Sequence, residues 1–148
     1  MRKIHFIINA LNEEHRLARV LDSIVPFSAS IILVDAGSSD NTIAVAKTYP
    51  DVEIISSSAS PFDLDGRFAD ALELISSHDP DPWIFPITCS EVITPALGVT
   101  LLDLINGPDD LVGINMYRQS YTFGVPTHRR KLVYLIHSLS RKNNVRVF

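Results

Sequence analysis

The chain reads as an α/β domain: a mostly parallel sheet flanked by helices. Three observations predict this. Apolar runs of strand length alternate with segments whose apolar residues recur at helical spacing. Proline, glycine and small polar residues stand where those segments should start and stop. Three polar stretches, Asn9 to Glu14, Asp35 to Asp40 and Thr88 to Glu91, each follow an apolar run directly.

Ile4 to Ile8 is the first apolar run and reads as a buried strand. Asn12 can cap a helix with Glu13 and Glu14 in its first turn, where the helix dipole favours acids. Leu17, Val20, Leu21 and Ile24 form one apolar face, with Arg16 and Arg19 on the other side, and Pro26 ends the helix. Ile31 to Val34 is the second strand, Asp35 to Asp40 a polar turn, and Thr42 to Thr48 a second helix. Val52 to Ile55 is the third strand, and the serine-rich stretch from Ser56 to Pro61 is a loop. Arg67 to Ser76 forms a helix with Phe68, Ala71, Leu72 and Ile75 on one face, broken by the Asp79-Pro80-Asp81-Pro82 segment. Trp83 to Ile87 is the fourth strand. Thr94-Pro95 opens a helix bearing Leu97, Leu101, Leu102 and Ile105, and Gly107-Pro108 stops it. Leu111 to Tyr117 is a further strand. At the end, Leu132, Leu135, Ile136 and Leu139 suit an amphipathic helix, although Val133 to Ile136 would also serve as a strand; the helix is preferred.

With 148 residues, 46% of them hydrophobic and 20% charged, the chain fits one domain with a sizeable core. No apolar run approaches the roughly 20 residues that span a bilayer, and the one cysteine, Cys89, permits no internal disulfide. A cytoplasmic location is the default expectation. The charge is unevenly spread. Residues 1–110 form an acidic body holding all 17 acidic residues against six Lys or Arg. Residues 111–148 hold seven basic residues (Arg118, Arg129, Arg130, Lys131, Arg141, Lys142 and Arg146) and no Asp or Glu. Such a basic end suits an anionic partner: a diphosphate or an acidic membrane surface, the latter at the inner face. The alternative is a solvated face that balances the body. Nucleic acid is disfavoured, because Tyr117, Tyr121, Phe123 and Tyr134 belong to no recognised RNA-binding module.

In a parallel sheet, ligands bind beyond the carboxyl ends of the strands. If the strands are neighbours, the three polar stretches converge on one crevice. A carboxylate such as Asp35 at a strand end can accept from ribose hydroxyls or a base N–H, and Gly37 allows a tight turn or close ligand approach. The same residues also make ordinary strand-to-helix turn chemistry, as do Asn12 to Glu14. Residue types alone leave both readings open. No zinc-ligand spacing and no Walker-type glycine loop is present.

Two motifs together resolve more than either alone. Ile7-Ile8-Asn9-Ala10-Leu11-Asn12-Glu13-Glu14 resembles the opening of family 2 glycosyltransferases, where an apolar strand ends in a proline-containing turn and Asn-Glu-Glu. Ile32-Leu33-Val34-Asp35-Ala36-Gly37-Ser38-Ser39-Asp40-Asn41-Thr42 resembles the family's second signature, and one helix separates the two, as the family requires. The resemblance implies a GT-A fold, a Rossmann-like sandwich binding a nucleoside-diphosphate sugar and passing the sugar to a glycan or lipid-linked acceptor, as in cell-surface polysaccharide or glycolipid synthesis. It implies that Leu11 and Glu13 line the nucleoside pocket, with Asp35, Gly37 and Ser38 beside base and ribose. It places Arg67 and Asp70 near the donor, with Ser90 and Glu91 at the diphosphate.

The chain departs from the family at three points. Asn9 stands for the usual proline. Thr88-Cys89-Ser90-Glu91 stands where Asp-x-Asp would hold Mg²⁺ or Mn²⁺, so that Glu91 is the one carboxylate left for a metal. By the resemblance, the acceptor-binding half is also expected to be incomplete in these 148 residues. The expectation is therefore a transferase that is metal-independent or weakly active, with Arg129 and Arg130, beside His128 and Lys131, over the diphosphate. The alternative is a degenerate domain that binds a nucleotide or a protein.

Overall fold

The computed structural model describes residues 1–56, 64–107, 111 and 113–137. Its elements run β1 (Ile4–Ala10), α1 (Leu17–Ile24), a 3₁₀ turn (Val25–Phe27), β2 (Ser28–Asp35), α2 (Thr42–Ala46), β3 (Val52–Ser56), α3 (Leu64–His78), β4 (Trp83–Thr88), α4 (Pro95–Ile105), β5 (Gly113–Thr122) and β6 (Val125–His137). They form one six-stranded sheet in the order β3-β2-β1-β4-β6-β5. The first four strands are mutually parallel, and β6 runs antiparallel to both β4 and β5.

Strand alternation divides the core. Phe6, Ile8, Ile31 and Leu33 point to one face, where Leu17, Val20, Leu21, Ile24, Leu101 and Ile105 cover them. Ile7, Ile32, Val34 and Ile84 point to the other, under Ala71 and Ile75 of α3. Both faces are thus buried, which is why these strands read as continuous apolar runs rather than alternating ones. The connections explain the layers. From β1 the chain steps outward to β2 and β3, then returns past β1 to β4. With right-handed crossovers, that reversal sends α3 to the face opposite α1 and α2.

Gly98 sets how closely α4 approaches. A Cβ built there would lie 2.2 Å from a ring carbon of Phe27. Only a residue without a side chain lets the helix rest on the ring. Thr94 caps α4 by accepting the Leu97 N–H at 3.3 Å, with Pro95 in the first turn, as the sequence predicts.

Several expectations need correction. Asn12 does not cap α1: it has φ of 56°, and the helix begins at Leu17 with no acid in its first turn. A non-helical turn, in which the Arg16 and Leu17 N–H groups both donate to the Glu13 carbonyl, occupies the interval. Helix α2 stops at Ala46 rather than Thr48, while β2 begins earlier, at Ser28, and α3 is longer at both ends. The helix expected around Leu132 to Leu139 is instead strand β6 through His137, paired with β5. Residues 138–148 lie outside the described residues, as does most of the Ser56-to-Pro61 loop. His5, on β1, ties the sheet to its neighbours: Nδ1 meets Ser30 Oγ at 2.8 Å and Nε2 meets Asp79 Oδ2 at 3.0 Å.

Gly98→Ala should destabilise the domain by about 1–3 kcal/mol through overpacking against Phe27. Thermal unfolding checks this, and Phe27→Leu in the same chain should recover part of the loss.

Candidate functional site

The chain reverses direction across the sheet between β1 and β4. In open α/β sheets that switch point is where the carboxyl ends of the strands leave a crevice. The register brings the three polar loops out level: Ala10 lies opposite Asp35, and Asn9 lies opposite Thr88. The convergence expected from the sequence is present.

The loops after β1 and β2 are laced together. The Asn12 N–H donates to Ser38 Oγ at 3.0 Å, the Glu13 N–H to Thr42 Oγ1 at 2.7 Å and the Glu14 N–H to Asp40 Oδ2 at 3.1 Å. In return, the Ser39 N–H donates to Asn12 Oδ1 at 2.8 Å and the Asn41 N–H to Glu14 Oε2 at 2.8 Å. The left-handed backbone at Asn12 turns its side chain and N–H toward the second loop, a conformation asparagine tolerates better than most residues. Asp35, buried at 9% exposure, accepts the Gly37 N–H at 3.0 Å and the Ser38 N–H at 3.1 Å. Gly37 has φ of 94°, which favours glycine here on conformational grounds. Burial works against the charged form of Asp40. Hydrogen bonds from the Thr42 hydroxyl and from the Thr42 and Glu14 N–H groups outweigh it and hold the carboxyl below its ordinary range.

Around this lacing, Leu11 is 45% exposed at the rim, an apolar surface beside polar groups. The Glu13 carboxylate receives the Arg16 Nε–H at 2.6 Å. Asn9, which departs from the family's proline, has its Oδ1 buried with no hydrogen-bond partner among the described residues.

The loop after β4 is closed by Glu91. Its Oε2 accepts the Thr88 N–H at 2.9 Å and the Thr88 hydroxyl at 3.0 Å, while Oε1 accepts from Arg118 Nη1 at 2.8 Å. Thr88 and Ser90 hydroxyls lie 3.0 Å apart. Arg118, on β5, is 27 residues from Glu91 in sequence and was not among the site residues expected. It is the basic residue seen to reach this corner. The ion pair lines a mostly apolar cavity of about 70 Å³ together with Phe85, Ile87 and Met116. Cys89 is buried, and burial first, then the Glu13 charge, push its thiol up to about 12, with Arg16 acting in the opposite sense. That coupling also puts Glu13 and the loop after β4 within electrostatic reach of each other.

These residues do not fit a divalent cation. Mg²⁺ and Mn²⁺ take hard oxygen ligands, mostly carboxylates. Glu91, the one carboxylate of the loop, already holds a guanidinium and two donors of Thr88. The Cys89 thiol is protonated and points inward, and among the described residues no cluster of three metal-binding side chains exists.

The other expected residues are more scattered. Arg67 is buried near the start of α3, whose N-terminus lies toward the carboxyl ends of the strands. Asp70, one turn on, lines a groove with Glu53, Ser56 and Glu73 on the β3 side of the sheet. Arg129 and Arg130 lie on β6, in backbone register with Gln119 and Arg118; their side chains, and those of His128 and Lys131, lie outside the described residues. The β4–β6 pairing is recorded at Trp83 and Ile84, the amino end of β4. Continuing that register at about 3.3 Å per residue, the β5–β6 hairpin extends on the order of 20 Å past Thr88, with Tyr121, Phe123 and Val125 exposed at its tip.

Two outcomes follow. Because the Asp40 carboxyl is depressed in the folded state, its contribution is present above its unfolded value of 3.8 and is lost as pH falls through the lower folded one. Asp40→Asn should therefore flatten the pH dependence of thermal unfolding below about pH 4. Cys89 should resist a thiol reagent at pH 8 in the native protein and react on addition of denaturant.

A family model described as "Glycosyl transferase family 2" matches residues 5–145. The chain is 35% identical over 121 residues to the lipopolysaccharide core biosynthesis glycosyltransferase LpsC of Rhizobium meliloti (strain 1021), covering 80% of this chain and 43% of that protein. It thus spans less than half the length of that relative. Among solved structures it is similar to glucosyl-3-phosphoglycerate synthase of M. tuberculosis (25% identity, TM-score 0.51, 72% of this chain and 42% of that one). It also shares its fold with 4-diphosphocytidyl-2C-methyl-D-erythritol synthase (11% identity, TM-score 0.59, 93% of this chain and 74% of that one). With the motifs at Asn12 and Asp35 in their expected places on a GT-A sandwich, the chain belongs to glycosyltransferase family 2.

Proposed function

We propose that this chain binds a nucleoside-diphosphate sugar over the carboxyl ends of β1, β2 and β4, and passes the sugar to an acceptor in cell-surface glycan synthesis. The observation that carries the reading is the lacing of residues 12–14 to residues 38–42 at the switch point of the sheet, in a chain of this family. Leu11 offers its exposed side chain to the base. Glu13 and Asp35 supply carboxylate oxygens for ribose hydroxyls and a base N–H, with Gly37 and Ser38 shaping the loop. Asp35 spends part of its acceptor capacity on its own turn, but two carboxylate oxygens carry about four acceptor positions. Ser90 and Glu91 stand on the diphosphate side. Arg67, Asp70, Arg129 and Arg130 are assigned to the donor on their place in the family pattern alone.

In the transfer, an acceptor hydroxyl attacks the anomeric carbon, the bond from that carbon to the diphosphate oxygen breaks, and the hydroxyl proton passes to a base. The relative LpsC is named for lipopolysaccharide core biosynthesis, which supports a glycan or lipid-linked acceptor. Such an acceptor would place the protein at the cytoplasmic face of the inner membrane, with the basic segment 111–148 toward anionic lipid. Among the described residues no helix is long and apolar enough to cross a membrane.

Calorimetric titration with UDP, GDP, CDP and dTDP tests the reading. At least one should bind, and Asp35→Ala should weaken that binding about 10- to 100-fold, the worth of one or two hydrogen bonds to a charged group. Asp103→Asn, exposed near the carboxyl end of α4 and away from the loops after β1, β2 and β4, should leave binding unchanged. Absence of binding by all four nucleotides to folded protein would sink the donor reading.

A further inference from the structure

The loop after β4 lacks the ligands for a divalent cation, yet it is not without positive charge. Arg118 reaches into it from β5 and sits 2.8 Å from Glu91, with the arginine side chain 37% exposed and the glutamate 13% exposed. We infer that the Arg118 guanidinium occupies the role that a divalent cation would have at this corner: it holds the donor diphosphate directly, and donor binding is independent of metal. The inference rests on the donor site proposed above.

Four features support it. A guanidinium is permanently charged and carries five N–H donors in a fixed fork, so one edge can hold a carboxylate while another meets a phosphate. The pair lines a cavity whose other walls are apolar, which strengthens charge interactions beside it. Glu91 is itself pinned by Thr88, so it fixes the guanidinium in place at the carboxyl end of β4. Finally, Arg118 pairs in register with Arg130, and no acidic residue occurs anywhere in 111–148. The hairpin side of the Arg118–Glu91 pair thus brings no carboxylate of its own. Glu91 is a positioning residue here, not a metal ligand.

The two roles for Glu91 predict opposite signs. The probes are UDP and UMP, or the corresponding pair for whichever base the titrations select, measured on the full chain in EDTA and in Mn²⁺. If Arg118 holds the diphosphate, wild-type affinity for the diphosphate changes less than about twofold between EDTA and Mn²⁺. The diphosphate is preferred over the monophosphate by about tenfold, the scale of one charge-assisted contact. Arg118→Gln removes most of that preference and leaves the monophosphate nearly unchanged, and Arg118→Lys restores part of it. Glu91→Gln leaves diphosphate affinity equal or higher, because the amide oxygen still accepts from the guanidinium and keeps it in place while the counter-charge is gone. Water-proton relaxation should show no tight Mn²⁺ site in the nucleotide-free protein. If Arg118→Gln does not fold, the metal response of the wild type and the sign of Glu91→Gln decide.

A tenfold or larger tightening by Mn²⁺ that Glu91→Gln abolishes would overturn the inference while leaving the donor site intact. So would an unchanged diphosphate preference in folded Arg118→Gln. Failure of wild-type protein to bind any nucleotide would overturn the donor reading and this inference with it.

Discussion

Backbone amides at Asn12, Glu13 and Glu14 end on side-chain oxygens of Ser38, Thr42 and Asp40, while amides at Ser39 and Asn41 end on Asn12 and Glu14. Each loop thus supplies the partners the other cannot make for itself. Apart from Thr42, which opens α2, neither segment is helix or strand, and the part-buried amides of Glu13 and Glu14 would each cost about 1–3 kcal/mol without partners. The exchange removes that cost and fixes the exits of β1 and β2 relative to each other. It also explains why α1 starts late: residues 12–14 are committed to the neighbouring loop before the helix begins. Loops tied to each other in this way are held in place by the fold itself, so a ligand that binds over them has less ordering to do.

The corner after β4 follows a different logic. There the chain closes its own turn through Glu91 and then borrows a cation from a strand far along the sequence. The order β4-β6-β5 makes this possible, because the hairpin stands beside β4 and carries Arg118 to the level just beyond Thr88. The acidic body and the basic end of the chain meet at this point. The uneven charge distribution read from the sequence is therefore not only a matter of solvation; one of its basic members makes a defined contact.

How much of this was legible depended on range. Strands β1, β2 and β4 were readable because a sheet buried on both faces demands unbroken apolar runs. The α4 start was readable because Thr94-Pro95 is a local signal with a local cause. Asn12 misled, since an asparagine followed by two acids is good capping chemistry and nothing nearby reveals that its partner is Ser39. Val133 to Ile136 satisfies both periods, and only pairing with β4 and β5 selects strand. Of the site, Asp35 and the loops at the ends of β1 and β2 were legible from motif and position. Arg118 was not, because pairing with Glu91 is a product of hairpin register, which leaves no mark in composition or spacing.

The contact between Gly98 and the Phe27 ring has an evolutionary side. Helix α4 follows the Glu91 loop, and its seat is determined by a position that holds a hydrogen where every other residue holds carbon. A change at 98 alone overlaps the ring; a smaller residue at 27 alone leaves a void. The two sites are thus expected to drift as a coupled pair across relatives, moving together or staying fixed, on packing grounds alone.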